Sequence, residues 1–212
     1  MARNKYPEET VSRILDVSLK LFSEHGYSQV KMQDIVASLG GLTKGAVYHH
    51  FKNKEDIFDA LLDRYYQVLE PMRIIQKSNL SGLEKLKKVI LQGLDDSIRN
   101  KEIVSLSEGL LKTPRFLLRQ MEDSQTKVAP IFEDIIEQGN ADGSLSVPYP
   151  KQAADVFALL ANIWMNPAIY PASEDEYLQK ILQFQILLNG MGLPVIDDFV
   201  LNEFKALRKN LI

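Results

Sequence analysis

The sequence predicts an all-α protein of about nine to ten helices, with a small N-terminal module followed by a larger helical body. Two observations carry this. Apolar residues recur at three- and four-residue spacing along nearly the whole 212-residue chain, and the interruptions fall at helix punctuation such as "HGYS", "GGLT" and "GMGLP". No segment alternates with period two for long enough to form a strand.

The helices follow in order. Pro7 suits a first turn in which Glu8 and Glu9 meet the positive end of the helix dipole, and Val11, Ile14, Leu15, Ser18 and Phe22 then keep helical spacing up to Gly26. Met32, Ile35, Val36 and Leu39 mark helix 2, which "GGL" ends. Thr43 is placed to cap a short helix 3, and Asn53 to cap helix 4, expected over 54–77. "SGLE" at 81–84 and "SEDE" at 173–176 are capping boxes, and Thr113-Pro114 reads as N-cap and first helical position. Further helices are expected over 82–100, 102–111, 114–139, 150–166, 174–190 and 197–210. The expected domains are residues 1–54, with helix 4 connecting, and 78–212.

Composition narrows the function classes. With no cysteine the chain has no disulfide, thiolate nucleophile or Cys-ligated zinc, and a reducing cytoplasm is the expected setting. No apolar leader or membrane span is present in the sequence. Net charge is -3, but residues 1–54 hold eight Lys/Arg against five Asp/Glu while the rest holds 17 against 23. A basic module on an acidic body points to a polyanion partner for the module, or to an ordinary solvated surface. There is no nucleophile motif, glycine-rich phosphate loop or HExxH pattern, so neither catalysis nor a cofactor is expected.

The stretch "GLTKGAVYHHFKNKED" decides between these readings. A first helix followed by two short helices joined through glycine is the helix-turn-helix arrangement, whose second short helix enters the DNA major groove. Within helix 3, Val47 and Phe51 stand four apart and pack inward. Lys44, Tyr48 and His49 are thereby turned outward, with small Gly45 and Ala46 between them. That face offers donors for phosphates and base edges with little bulk. Taken singly, Tyr48 equally suits partial burial and Lys54 simple solvation. Adjacent histidines on a helix diverge by about 100° and no third ligand follows at i+4, so no metal site is expected.

These residues resemble the DNA-binding domain of the tetracycline repressor (TetR) family. "ILDVSLKLFSEHGYSQVKMQDIV" is similar to the family's first helix and the start of its second, and "LTKGAVYHHFKNKEDIF" to its recognition helix with Tyr-x-x-Phe and the following Lys. The resemblance implies that Thr43, Lys44, Gly45, Tyr48 and His49 face DNA, that Phe51 packs the corner into helix 4, and that Lys54 touches the phosphate backbone. Two departures stand out. "GGL" is one residue longer than the family's turn, and the hydroxyl residue usual at the start of helix 2 is replaced by Val30 and Lys31. Lys31 either supplies the phosphate contact or is solvated.

For residues 78–212 the resemblance implies a ligand-binding and dimerisation domain, hence a homodimer on a near-palindromic double-stranded operator, released by a small-molecule effector. A ligand-independent member, whose larger domain serves only assembly, is the alternative. Phe116, Met121, Phe132, Phe157 and Trp164 are the candidates to line a pocket, or else are plain core. Glu108 and Arg115 either orient a charged ligand or are solvated. Phe157, Ala161, Leu178, Ile181, Leu182 and Gln185 are the candidates for the dimer interface, with an intramolecular core as the other reading.

Overall fold

The computed structural model describes residues 7–65, 69–99, 114–166 and 169–208. All regular elements among them are helical: α1 Pro7–His25, α2 Met32–Ser38, α3 Lys44–His50, α4 Lys54–Tyr65, α5 Leu69–Gln76, α6 Gly82–Arg99, α7 Pro114–Asp123, α8 Ala129–Asp142, α9 Pro150–Leu159, α10 Glu174–Gly190 and α11 Asp198–Arg208. No helix among the described residues is long and apolar enough to cross a membrane. The chain forms two compact units, one built on α1–α4 and one on α5–α11. The expected helix at 102–111 and the Thr113 cap lie outside the described residues.

In the first unit, α1 lays Ile14, Leu15 and Phe22 against Ile57, Phe58, Leu61 and Leu62 of α4, and Ile35, Leu39 and Val47 from the two short helices complete the core. Phe22, Tyr27 and Phe58 form an aromatic cluster with ring centroids 4.8 to 6.5 Å apart. Arg64 Nη1 reaches Asp16 Oδ1 at 2.6 Å, tying the far end of α4 to α1.

Of the expected helix 54–77, the described residues show α4 in the first unit and α5 in the second; residues 66–68 between them lie outside the described residues. α6 begins with the Ser81–Glu84 capping box and crosses the end of α8 so tightly that a Cβ on Gly82 would collide with the backbone of Gly139. Asp142 accepts from Gly82 N at 2.8 Å at the same crossing. Buried Lys85 donates to Gln138, whose amide and that of Gln76 both donate to Asp134 at 2.7 Å, so one polar chain joins α5, α6 and α8.

The expected continuous helix 114–139 is interrupted by a π-helical turn, Ser124–Val128, closed by Ala129 N to Ser124 O. Pro130 explains it: the ring crowds the carbonyl four residues back and supplies no N–H, and widening the preceding turn relieves both defects. A second π turn, Leu160–Trp164, follows α9 and replaces the end of the expected helix 150–166.

Candidate nucleic-acid interface

α3 is a seven-residue helix whose orientation is fixed at every boundary. Thr43 accepts from Ala46 N at 3.2 Å as its N-cap, Val47 is fully buried beneath it, and Phe51 closes its end with N–H donating to Val47 O. Asn53 Oδ1 accepts from Asp56 N at 2.8 Å and starts α4. The preceding turn takes the left-handed backbone at both Gly40 (φ 34°) and Gly41 (φ 85°), so the extra residue in "GGL" is accommodated by two successive positive-φ positions that side-chain-bearing residues rarely adopt. Arg13 Nη2 donates to the carbonyls of Leu39 (2.6 Å) and Gly40 (2.7 Å), closing the end of α2 from α1.

The outward face carries Thr43, Lys44, Gly45, Tyr48 and His49, all exposed; Ala46 is half-buried and less open than the spacing suggested. Tyr48 is 37% exposed, with the Lys44 ammonium 5.6 Å from its ring centroid. The His49 and His50 rings stand 5.3 Å apart, edge to face. Lys31 is exposed just before α2, where Asp34 Oδ2 accepts from its backbone N at 2.8 Å; this satisfies the N–H of the N-cap residue and does not replace the missing hydroxyl, which would accept from the first turn. Gly45 has helical backbone, and the nearest atom to a Cβ built there is Thr43 Oγ1 at 4.0 Å. Nothing among the described residues therefore calls for glycine at this position.

Lys54, expected at the phosphate backbone, also has partners within its own chain. Its Nζ donates to the carbonyls of Tyr27 (2.8 Å) and Val30 (3.0 Å), with Ser28 O at 3.5 Å, and lies 4.4 Å from the Tyr27 ring centroid. The turn after α1 leaves these carbonyls facing α4, and the ammonium fills the gap. A lysine at a helix start looks the same in sequence whichever partner it finds.

In the second unit the expected pocket residues separate. Phe116, Phe132 and Phe157 are buried, and Phe132 stacks on Phe157 at 4.4 Å; Trp164 is half-buried, edge-on to Phe184 at 6.4 Å. Met121 instead stands 46% exposed, because the inward row on α7 is Phe116, Gln120 and Asp123, and one residue beyond Gln120 turns about 100° away. Glu108 lies outside the described residues, and Arg115 is exposed at the start of α7.

The sequence reading missed a polar inset where the π turns meet. Gln120 is 4% exposed; its amide N reaches Asn162 O at 3.4 Å while its Oε1 has no partner among the described residues, and Asn162 Nδ2 meets Ser124 Oγ at 3.5 Å. The signal was a glutamine on an apolar face, which resembles any solvated residue until the phase of the helix is known.

The expected interface residues separate as well. Phe157 and Ile181 are buried in the chain's own core, and Gln185 Nε2 donates to Ile196 O at 2.5 Å, bracing the segment before α11. Leu182 is 39% exposed, Leu178 and Ala161 are half-buried, and Ile186 continues the outer row on α10. Val156 and Leu159 make a comparable exposed row on α9.

Comparison with known proteins agrees with this geometry. Residues 14–61 match the family described as bacterial regulatory proteins, tetR family. The HTH-type transcriptional regulator AcrR of Shigella flexneri is 28% identical over 144 residues, 65% of this chain and 66% of that protein. The regulator TtgR of Pseudomonas putida is 23% identical over 79% of this chain and 84% of its own length. Among solved structures, SmeT, the repressor of a Stenotrophomonas maltophilia multidrug efflux pump, superposes with TM-score 0.69 at 21% identity over 92% of this chain and 95% of SmeT. A TetR/AcrR-family regulator from Thermobifida fusca gives 0.61 at 25% identity over 85% and 97%. The helix-turn-helix with its exposed, donor-bearing α3 and these likenesses together lead to one conclusion: residues 14–61 are a DNA-binding domain of the tetR family, in a chain similar to DNA-binding transcriptional regulators over most of its length.

Proposed function

We propose that the protein is a repressor that binds a near-palindromic operator as a homodimer and is released by a small-molecule effector. In this reading the N-terminal unit reads DNA, with Lys44, Tyr48 and His49 as donors, Thr43 and Lys31 beside phosphates, and Gly45 and Ala46 allowing close approach to the groove floor. The observation that carries it is Gly45: a glycine inside a helix costs about 0.5 to 1 kcal/mol relative to alanine, and its open surroundings leave an outside surface as the reason for it.

Assembly belongs to the exposed rows on α9 and α10, since Val156, Leu159, Leu182 and Ile186 are apolar and uncovered in the single chain. Release belongs to the second unit, where Phe116 and Trp164 lie in the segments that also hold the polar inset of Gln120, Ser124 and Asn162. Support comes from relatives named transcriptional repressors, such as KstR2 of Rhodococcus jostii, and from the structure of SmeT with triclosan, in which this architecture is seen with a small molecule.

The test is selection of duplexes from a randomised pool by the full chain. The expected product is a two-fold sequence with half-sites about one helical turn, 34 to 36 Å, or modestly more apart. Enrichment of no sequence, or of single half-sites held by monomers, refutes the reading. A panel of small aromatic compounds, screened for a rise in Tm and for loss of DNA binding together, tests the effector step.

A further inference from the structure

We propose that the effector is a neutral molecule with a hydroxyl group on an apolar body, and that this hydroxyl donates to Gln120 Oε1 where the two π turns of the second unit meet. This names the ligand class for the release step and rests on that reading.

Gln120 is 4% exposed and lies on the same face of α7 as Phe116, one turn earlier and 1% exposed. Its Nε2 donates to Asn162 O at 3.4 Å, and its Oε1 has no partner among the described residues. The Asn162 carbonyl fixes which way the amide lies, since the opposite orientation would set two acceptors against each other. The open atom is therefore an acceptor, and what it lacks is a donor. Buried acceptors rarely stay unmatched, because desolvation without a hydrogen bond is costly.

The surroundings suit an exchange of partners. Gln120 Nε2 to Asn162 O and Asn162 Nδ2 to Ser124 Oγ measure 3.4 and 3.5 Å, well beyond the roughly 2.9 to 3.0 Å of a well-made bond. Both give way at little cost. Ser124 and Asn162 themselves sit in the π turns Ser124–Val128 and Leu160–Trp164, and turns of this kind recur at functional sites.

Charge selects against ions. Asp123, 2% exposed, follows Gln120 on the inward row, and both its oxygens are taken, by Arg119 Nε at 3.0 Å and Lys127 Nζ at 2.9 Å. A cation would compete with these two partners for the carboxylate, and an anion would be buried beside a bare acceptor. A neutral donor meets neither obstacle. A hydroxyl gives the one donor that Oε1 needs, and its own oxygen can accept from Asn162 Nδ2 turned away from Ser124. Phe116, next to Gln120 on the same row, suits an apolar remainder.

The test uses the full chain with phenol, naphthol and phenylphenol, each beside its methyl ether, and with naphthoate and naphthylmethylamine as charged counterparts. The readouts are the rise in Tm, direct titration, and release of the duplex that wild type enriches from a randomised pool. At least one hydroxyl compound should raise Tm and bind at least about tenfold more tightly than its ether or a charged counterpart. Gln120→Met, which keeps the bulk and loses the acceptor, should bring that compound and its ether within about twofold of each other. A glutamine that is only structural would weaken both members of a pair alike, and that result overturns the proposal. So do ethers that bind as tightly as their hydroxyl partners, tighter binding of a charged counterpart, or binding by none of the hydroxyl compounds. Should Gln120→Met not fold, a crystal structure of wild type with the tightest hydroxyl compound decides. A ligand oxygen within about 3.2 Å of Gln120 Oε1 supports the proposal, and any other seat overturns it. Hydroxyl compounds that bind with the expected preference yet leave DNA binding unchanged take down the release reading and spare the site, whereas charged compounds alone releasing the duplex spare the release reading and sink the site.

Discussion

Gly45→Ala separates stability from function by sign. The backbone at Gly45 is helical, and a Cβ there meets nothing closer than Thr43 Oγ1 at 4.0 Å. The methyl group enters open space, and the substitution restricts the unfolded chain. A gain of about 0.5 to 1 kcal/mol is expected, which for a chain of this size raises Tm by about 1 to 4 °C. If α3 lies in the major groove with Gly45 toward its floor, the same methyl group intrudes on a packed contact, at about 1 kcal/mol or more per half-site. Two half-sites give about 2 kcal/mol, or about thirtyfold in operator affinity. The assay pairs calorimetry with a binding titration on the enriched duplex. A higher Tm with unchanged affinity refutes the placement of Gly45 at the groove, and a lower Tm refutes the claim that the chain leaves its side open.

Three further outcomes follow from the second unit and its assembly. Gly82→Ala drives a Cβ into the Gly139 backbone, so α6 and α8 must separate and the stability loss, read by urea unfolding, should be about 1 to 3 kcal/mol or more; a wild-type midpoint would show the crossing to be looser. Acid should weaken the second unit: the Lys87 ammonium and the Val200 N–H hold the Asp197 carboxyl below its ordinary range, as Ser81 does for Glu84, Ser144 and the Gly82 N–H for Asp142, and Ser173 for Glu176. Because folded values are depressed, this stability is present above the unfolded carboxylate pKa of about 4 and is lost as pH falls through the folded values; a Tm that stays level from neutrality down to pH 2 would contradict it. Leu182→Arg should leave a folded protomer, its side chain being already 39% exposed, yet give monomers in sedimentation with weakened operator binding, whereas Ile181→Arg should unfold the chain, its side chain being 2% exposed. A dimeric Leu182→Arg protein that binds normally would move the interface elsewhere.

What was legible in the sequence was whatever one element decides locally. Thr43, Asn53, Ser81 and Ser173 cap helices because their side chains reach N–H groups three residues on, with no reference to the rest of the fold. The four-residue spacing of Val47 and Phe51 alone determines which side of α3 is buried, and so which donors remain outside. The readings that changed depend on something beyond a single regular helix. Pro130 announces a break, but the break is a widened π turn and not a stop, and that shifts the phase by which later residues turn inward.

Apolar residues alone do not say whether the surface that covers them belongs to the same chain or to a second one. Ile181 and Leu182 are adjacent, equally apolar, and differ only in that α10 turns one of them into its own core. Cations are ambiguous in the same way. Lys44 and Lys54 flank the recognition helix and count equally toward the basic character of the N-terminal module, yet Lys54 faces three carbonyls of its own chain while Lys44 rests beside Tyr48 on the exposed face. Arg13 is likewise held at the end of α2. Charge counted along a sequence therefore overstates the charge a groove can meet. Lys31 and Lys44, whose ammonium groups meet no carbonyl among the described residues, are the cations of the first unit most open to phosphates if α3 is the helix that reads the DNA.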